Sequence, residues 1–184
     1  MVKEPQAGRV KTRLGRDIGM TNAAWWFRHQ TKRLIREVGT DPRWQLRLSV
    51  SPAPQALHSR AWPVGIPRDS QIRGDLGARM RHVFETTPWG PVVLIGGDIP
   101  GVTPAIIHDA FQKLNDHDCV LGPAEDGGFW LVGMRRIGPL PTDLFKGVRW
   151  SCVDTLKDTL GTLGNASVAF TATLRDVDTA ADLP

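Results

Sequence analysis

Asp98 is a residue whose type and position could do chemistry. It follows residues 91–97, where four consecutive apolar residues predict a buried strand and two glycines come after them. Pro100 cannot continue a central ladder, so Asp98 is placed just past the carboxyl end of that strand. Ligands bind at this edge of open α/β sheets, which makes Asp98 a candidate ligand for a metal ion. A cap of the following turn is an equally good interpretation of a Gly-Asp pair.

Lys11 and Arg13 are candidate phosphate-binding residues in an amino-terminal loop predicted over residues 1–16. An ammonium group and a planar guanidinium suit different phosphate oxygens, and Gly8 permits close approach of the backbone to a ligand. Residues 1–36 carry nine Lys or Arg against two acids, a surplus of +7 in a chain of net charge +4. This surplus favours an anionic partner such as a nucleotide, a sugar phosphate or nucleic acid. Basic residues spaced four apart beyond residue 27 are equally typical of a solvated helix face.

Three further loops carry acidic residues, and in two of them the acidic residue stands next to a glycine. Gly74-Asp75 begins a predicted helix, where Asp75 either caps the helix or borders a ligand bound at its free N–H groups. Asp126-Gly127-Gly128 forms a corner between two strands, and Asp178 follows the last strand. Two carboxylates from distant loops, such as Asp98 and Asp178, could hold one Mg²⁺ that bridges to a diphosphate. The basic loop would then neutralise the remaining phosphate charge.

The elements that must position these loops alternate between helix and strand. Apolar periodicity and capping residues predict helices over residues 21–38, 75–87, 103–116 and 151–163, with a short one from 180. Strands are predicted over 44–50, 92–97, 118–121, 129–134 and 167–171, and residues 51–70 are predicted as a loop with at most a short strand at 62–66. This alternation predicts a mostly parallel sheet with helices on both faces, in one domain spanning residues 1–184.

Composition limits the class of protein. The chain has 184 residues, with 41% hydrophobic and 23% charged residues, which is ordinary for a globular protein. No apolar run approaches the roughly 20 residues needed to span a bilayer, and the first residues lack the apolar core of a secretory signal. Cys119 and Cys152 follow no metal-binding spacing, and Cys119 lies in an apolar strand pattern. We therefore expect a cytoplasmic protein with reduced cysteines.

Five ordered motifs resemble those of a known bacterial family. They are Lys3-x-Pro5-x-x-Gly8-x-Val10-Lys11-Thr12-Arg13-Leu14, Gly74-Asp75-Leu76-Gly77-x-Arg79-Met80, Gly97-Asp98-x-Pro100, residues 122–128 and Asp176-Val177-Asp178-Thr179. The chain is similar to the transferase-1-like glycosyltransferase family, which belongs to the nucleotide-diphospho-sugar transferase superfamily. It is also similar to the molybdenum-cofactor nucleotidyltransferases and the phospholactate guanylyltransferases.

The resemblance implies a three-layer α/β/α fold of the glycosyltransferase-A type and assigns roles to the motifs. Lys11 and Arg13, with Gly8, would hold nucleotide phosphates, and Asp98 with Asp178 would hold Mg²⁺ or Mn²⁺. Gly74 and Asp75 would lie against the base or ribose. Asp126, Gly127 and Gly128 would line the acceptor side. Trp150 would either close that pocket or belong to the core.

The resemblance also implies an apolar first strand before the Lys-x-Pro loop, where this chain has only Met1-Val2. From this departure we expect a first strand that is missing or truncated, which would leave a strand edge unpaired and favour association between copies. The amino-terminal loop also has fewer glycines than the corresponding loop of the nucleotidyltransferases, because Gly8 is its single glycine between residues 3 and 14.

Three functions remain open from the sequence. The first is a metal-dependent transferase that uses a nucleotide-sugar donor and an unknown small-molecule acceptor. The second is a nucleotidyltransferase that joins a nucleoside triphosphate to a phosphorylated acceptor and releases pyrophosphate. The third is a non-catalytic module that binds nucleotide or nucleic acid. We do not expect nucleic acid as the partner, because the basic residues are interleaved with a Pro/Gly loop, and a homo-oligomer is compatible with the sequence.

Overall fold

The structure, a computed structural model, describes residues 1–53 and 55–183, which contain five α-helices and seven β-strands. The helices are α1 (Thr12–Ile18), α2 (Met20–Gly39), α3 (Leu76–Thr86), α4 (Pro104–Lys113) and α5 (Thr155–Gly161). The strands are β1 (Val2–Lys3), β2 (Leu48–Ser51), β3 (Arg68–Ser70), β4 (Val92–Ile95), β5 (Cys119–Pro123), β6 (Phe129–Met134) and β7 (Val168–Phe170). Short 3₁₀ turns lie at Gln55–His58 and Ala180–Asp182.

The chain folds into two compact units. The first unit comprises Met1–Gln71, Gly96–Pro104 and Asp176–Pro184, and the second comprises Ile72–Ile95 and Ala105–Arg175. Each unit has its own sheet. The expectation of one domain stays a prediction.

The first unit is built on a parallel sheet in the order β1-β2-β3, with Val2 opposite Val50 and Leu48 opposite Arg68. Helix α2 forms because its apolar residues recur at helical spacing and can be buried along one face. Phe27, Leu34 and Val38 are all buried. Its apolar face packs into the main core of this unit, whose buried members include residues of β1, β2 and the segment 56–62. Burial of one such side chain contributes about 1.5–3 kcal/mol.

The second unit is built on a mixed sheet in the order β4-β6-β5-β7. Strand β6 is antiparallel to both β4 and β5, and β5 pairs in parallel with β7. The central strands are buried on both faces, since Val120, Leu121, Leu131 and Val132 have almost no exposed surface. Over both units, three of the five strand pairings are parallel, as predicted for a mostly parallel arrangement.

The structure contains a short first strand, β1, where we expected the first strand to be missing or truncated. Two residues, Val2 and Lys3, pair in parallel with Val50 and Ser51 of β2. The backbone ladder continues past them, because the Glu4 N–H donates to the Ser51 carbonyl at 2.6 Å. A short strand is therefore present at the position where the resemblance implies one, and it pairs with the sheet of the first unit.

Two predictions in the first 70 residues were wrong. The loop predicted over residues 1–16 is helical from Thr12, where α1 begins, and α1 is held by Leu14, which is buried against Ala23 and Val177. The segment 51–70 does contain a strand, but at β3 rather than at 62–66. The β3 residues are polar and have no strand pattern, and parallel pairing with β2 places them in the sheet.

The helix predicted over residues 151–163 from a capping-box pattern, Ser151-x-x-Asp154, does not begin with that box. Helix α5 begins at Thr155, its N-cap Asp154 makes no side-chain cap hydrogen bond, and Ser151 has a left-handed φ of 59°. A capping box is instead found at the 3₁₀ turn Ala180–Asp182. There the Asp182 carboxylate accepts from the Thr179 N–H at 2.8 Å.

Candidate functional site

A cluster of opposite charges forms in the first unit around the ammonium group of Lys11. The Lys11 Nζ lies 2.7 Å from an Asp98 oxygen, 3.5 Å from an Asp178 oxygen and 3.8 Å from an Asp176 oxygen. The other Asp178 oxygen accepts from an Arg13 guanidinium nitrogen at 2.7 Å. We call these five residues the Lys11 cluster. It brings together four residues predicted from the sequence: Lys11, Arg13, Asp98 and Asp178.

Lys11 is positioned by the start of α1. It is the N-cap residue in a left-handed conformation with φ 44°, and the Gly15 N–H donates to its carbonyl at 2.8 Å. Val10 before it and Leu14 after it are buried, so the backbone on both sides is held by packing. Gly8 has a φ of 76°, which an L-residue rarely adopts, although a Cβ there would meet no atom within 4 Å. The need for glycine at position 8 is thus conformational.

Asp98 is positioned by two hydrogen bonds from α2 to its neighbours. The Thr31 hydroxyl donates to the Gly97 carbonyl at 2.8 Å, and the Gln30 amide donates to the Ile99 carbonyl at 3.2 Å. Gly97 packs so closely that a Cβ there would lie 2.8 Å from a methyl carbon of Val2. The segment carrying Asp98 is therefore fastened to the helix on either side of the carboxylate.

Asp178 is positioned by a buried residue and a turn. Val177 is almost fully buried and packs with Leu14 and Ala23, which holds the segment against α1 and α2. The Asp178 N–H donates to the Asp182 carboxylate at 3.2 Å, and the Ala180 N–H donates to the carboxylate of Asp17 on α1 at 2.9 Å. These contacts direct the carboxylate of Asp178 toward Lys11 and Arg13.

Asp176 is a member of the Lys11 cluster that was not among the site residues predicted from the sequence. Asp176 and Asp178 flank the buried Val177, and an oxygen of each carboxylate lies within 4 Å of the Lys11 Nζ, at 3.8 and 3.5 Å. This alternation of two acids around one apolar residue was visible in the Asp176-Val177-Asp178 motif. It could have identified Asp176 as a partner of the site together with Asp178.

Electrostatics in the cluster favour the charged form of Lys11. Burial lowers the pKa of Lys11, but the carboxylate of Asp98, followed by Asp176 and Asp178, outweighs burial and holds that pKa above its ordinary value. The Lys11 side chain is only 8% exposed, whereas that of Arg13 is 63% exposed. The guanidinium of Arg13 is therefore open to a ligand, and the Lys11 ammonium is enclosed by its carboxylates.

The donor chemistry of the cluster suits a hard divalent cation, since Mg²⁺ and Mn²⁺ prefer carboxylate oxygens. Within residues 1–53 and 55–183, no group of three His, Cys, Asp or Glu side chains is arranged to hold a metal ion. A metal site here would have to be completed by oxygens of a ligand phosphate, which is how Mg²⁺ is commonly bound in phosphate chemistry. Asp98 and Asp178 are the side chains that could supply its carboxylates.

Gly74 and Asp75 lie in the second unit and form the beginning of α3. The Asp75 carboxylate accepts from the Ala78 N–H at 2.8 Å, so the predicted N-cap is confirmed. Gly74 has a φ of 136°, and its carbonyl accepts from the Arg79 guanidinium at 3.0 Å. The contact of these residues with a base or ribose, implied by the resemblance, stays a prediction.

The corner at residues 126–128, also in the second unit, is closed by internal contacts. The Asp126 carboxylate accepts from the Gly128 N–H at 2.9 Å, and the Gly127 carbonyl accepts from the Leu156 N–H at 2.9 Å. A Cβ on Gly127 would lie 2.3 Å from the Val153 carbonyl oxygen, which explains the glycine without a ligand. The acceptor-binding role implied for these residues stays a prediction.

Trp150 packs inside the second unit. Its ring lies 6.3 Å from that of Phe129 and 6.2 Å from that of Phe145, measured between centroids. One of its ring carbons lies close to Gly77, where an added Cβ would be 2.9 Å away. Of the two alternatives for Trp150, these contacts support a place in an aromatic core.

Comparison with known proteins places this architecture in a family. Residues 34–152, more than half of the chain, match the family described as "Uncharacterized protein conserved in bacteria (DUF2064)". The chain belongs to the DUF2064 family. The match includes Asp98, whereas Lys11 and Asp178 lie outside it. No curated protein matches this DUF2064 chain significantly.

Solved structures share the fold of this DUF2064 protein. A candidate nucleotide-diphospho-sugar transferase from Desulfovibrio desulfuricans G20 is 31% identical, with a TM-score of 0.84, over 97% of this chain and 80% of that one. The resemblance to an uncharacterised bacterial family of the nucleotide-diphospho-sugar transferase superfamily is therefore confirmed, together with the mixed α/β fold of the glycosyltransferase-A type.

More distant structures show the fold alone. Rv0371c from Mycobacterium tuberculosis H37Rv is 20% identical, with a TM-score of 0.51 over 85% of this chain and 80% of that one. Its homologue from Mycobacterium sp. strain JC1 is 16% identical, with a TM-score of 0.55 over 83% of this chain and 78% of that one. In the part of the DUF2064 chain that the structure describes, no helix has the length and apolar character required to cross a membrane.

Proposed function

We propose that this protein is a metal-dependent transferase that uses a nucleotide-sugar donor. The observation that carries the proposal is the Lys11 cluster, in which two cationic side chains and three carboxylates from separate segments converge at one place. Such a combination matches the requirements of a diphosphate leaving group and its metal ion. The 31% identical candidate nucleotide-diphospho-sugar transferase supports the choice of donor.

In this proposal the residues of the cluster have separate tasks. Arg13 is largely exposed and presents a planar fork that can bind two phosphate oxygens at once. Lys11 supplies a point charge from a backbone position held by packing, and this charge would stabilise the negative charge that develops on the leaving diphosphate. A Mg²⁺ or Mn²⁺ ion held by Asp98 and Asp178 would neutralise the diphosphate as the sugar is transferred to a small-molecule acceptor.

A thermal-shift panel tests the proposed donor class. Nucleotides and nucleotide-sugars are added with and without Mg²⁺ or Mn²⁺, and a ligand of the native state raises the melting temperature. We expect at least one nucleotide-sugar to stabilise the protein in a metal-dependent way. Asp98→Asn should remove this stabilisation, whereas the matched change Asp116→Asn, at an exposed aspartate of the second unit, should not. Unchanged ligand affinity in Asp98→Asn would contradict the metal assignment.

The same protein can be assayed for nucleotidyl transfer. Incubation with Mg²⁺, a nucleoside triphosphate and phosphorylated acceptors would release pyrophosphate if the α-phosphate were attacked. We expect no pyrophosphate under these conditions. Its release would replace the proposed sugar transfer by the nucleotidyltransferase alternative.

A further inference from the structure

The Lys11 ammonium occupies the position in which a cation would be expected among the carboxylates. All three aspartates of the cluster approach the same nitrogen, at 2.7, 3.5 and 3.8 Å. The side chain is 8% exposed, so solvent does little to screen these interactions. The carboxylates are thus already neutralised in part by a side chain of the chain itself.

Two features make this arrangement exchangeable. Asp98 and Asp178 retain 27% and 31% exposure, so both can be reached by an ion from solvent. Arg13 is bonded to the second Asp178 oxygen through a side chain that is itself 63% exposed. A phosphate group that enters here would meet Lys11 and Arg13. Before it binds, both cations are paired with carboxylates that a metal ion would need.

Like charges cannot share this position without cost. A divalent ion bound to Asp98 and Asp178 while the ammonium stayed in place would be repelled by a positive charge a few ångströms away, in a place that solvent screens little. If the ammonium turns to a phosphate oxygen, the carboxylates become free for the metal and the new charges compensate each other. Metal and phosphate binding are then coupled.

We propose that Lys11 is a resident counter-ion of Asp98, Asp176 and Asp178 that exchanges these carboxylates for a ligand phosphate, so that the metal binds tightly only together with the diphosphate. This inference rests on the proposed function and deepens it, because it states how the site avoids holding a metal without its donor. It makes Lys11 a positioning residue for the metal as well as a ligand of the phosphate.

The test measures two affinities separately. Binding of Mn²⁺ alone is followed by electron paramagnetic resonance, and binding of UDP, GDP, CDP and ADP at saturating Mn²⁺ is followed by calorimetry. For Lys11→Gln we expect Mn²⁺ to bind about tenfold more tightly than in the unaltered protein, because the competing charge is gone. The preferred diphosphate should bind at least about tenfold more weakly, because its own partner is gone.

Matched variants separate exchange from other effects. Arg16→Gln removes a positive charge from an exposed position of the same helix and should leave both affinities within about twofold. Lys11→Arg keeps the charge and should keep the weak binding of Mn²⁺. Circular dichroism checks that Lys11→Gln is folded, and if it is not, Lys11→Arg and Lys11→Met are compared in its place.

The outcomes distinguish this inference from the proposed function. Mn²⁺ affinity unchanged in Lys11→Gln but lowered in Asp98→Asn would overturn the exchange and leave the metal site intact. Lower affinity for both ligands in a folded Lys11→Gln would also overturn it, since Lys11 would then only support the site. Absence of both Mn²⁺ and diphosphate binding in every variant would overturn the proposed function itself.

Discussion

Gly97 shows how one residue links packing to the candidate site. It stands directly before Asp98, and an added Cβ would lie 2.8 Å from a methyl carbon of Val2 and 3.3 Å from the Thr31 side chain. Val2 is buried in β1 and is branched at Cβ, so it cannot turn aside freely. Any side chain at position 97 must therefore displace the strand, the helix or the segment that carries Asp98.

We expect Gly97→Ala to destabilise the protein by about 1–3 kcal/mol through overpacking. Urea denaturation measures this change in the free energy of unfolding. Gly161→Ala is the control, because that glycine ends α5 and a Cβ there would meet nothing within 4 Å. Equal stability of the two variants would show that the space around Gly97 relaxes without cost.

At the scale of elements, aspartates at the helix ends differ in whether they cap the helix. The Asp75 side chain caps α3 through the Ala78 N–H, whereas Asp154 at the start of α5 makes no such bond. The carboxylate of Asp182 caps the last 3₁₀ turn and also accepts from the Asp178 N–H, which ties a helix cap to a residue of the Lys11 cluster. An aspartate at a helix end can thus cap the helix, make no cap hydrogen bond, or cap a turn and also hold a residue of the Lys11 cluster.

Asp75→Ala should lower the free energy of unfolding by about 1 kcal/mol, because one N–H of the first turn of α3 loses its acceptor. Asp75→Ser keeps a capping oxygen but removes the carboxylate, so most of the stability should return. Thermal denaturation of both variants measures the difference. Nucleotide binding that is lost in the serine variant at normal stability would reveal a direct role of the carboxylate, which capping alone does not provide.

At the scale of the whole molecule, the two units differ in the kind of side chain that they leave accessible to solvent. The first unit holds the Lys11 cluster, with charged groups left accessible, and the second holds a sheet whose central strands are inaccessible to solvent. Cys119 lies on β5 with no exposed surface, and burial followed by the charge of Asp118 raises the pKa of its thiol to about 12. Cys152 is partly exposed.

A thiol reagent such as DTNB at pH 8 should modify one cysteine of the folded protein, Cys152. The Cys119 thiol is both shielded and protonated at this pH, because its pKa of about 12 lies well above 8 and only the thiolate reacts. Cys152→Ser should therefore show no rapid reaction until denaturant is added, when one thiol becomes reactive. Rapid modification of folded Cys152→Ser would mean that the second unit opens readily at β5.

Sequence patterns predicted most of the elements, and α1 and β3 are among those that were missed. The strand at 129–134 was predicted with the observed bounds, and α2 and α3 were predicted to within one residue at each end. Strand β3 was missed because its three residues are polar, and it is placed in the sheet by pairing with β2. Helix α1 was missed because it is held by the packing of Leu14 against Ala23 of α2 and against Val177, a contact that no local pattern shows.

The sequence by itself determined which side chains carry charge and most of the segments that are helix or strand, because these follow from residue type and local periodicity. It therefore predicted that Lys11, Arg13, Asp98 and Asp178 belong to one site. Only the tertiary structure decided their partners, placing Asp176 beside them and Lys11 against carboxylates, one of them 167 residues away along the chain. Such a pairing depends on how Leu14, Val177 and α2 pack, and no local pattern contains that information.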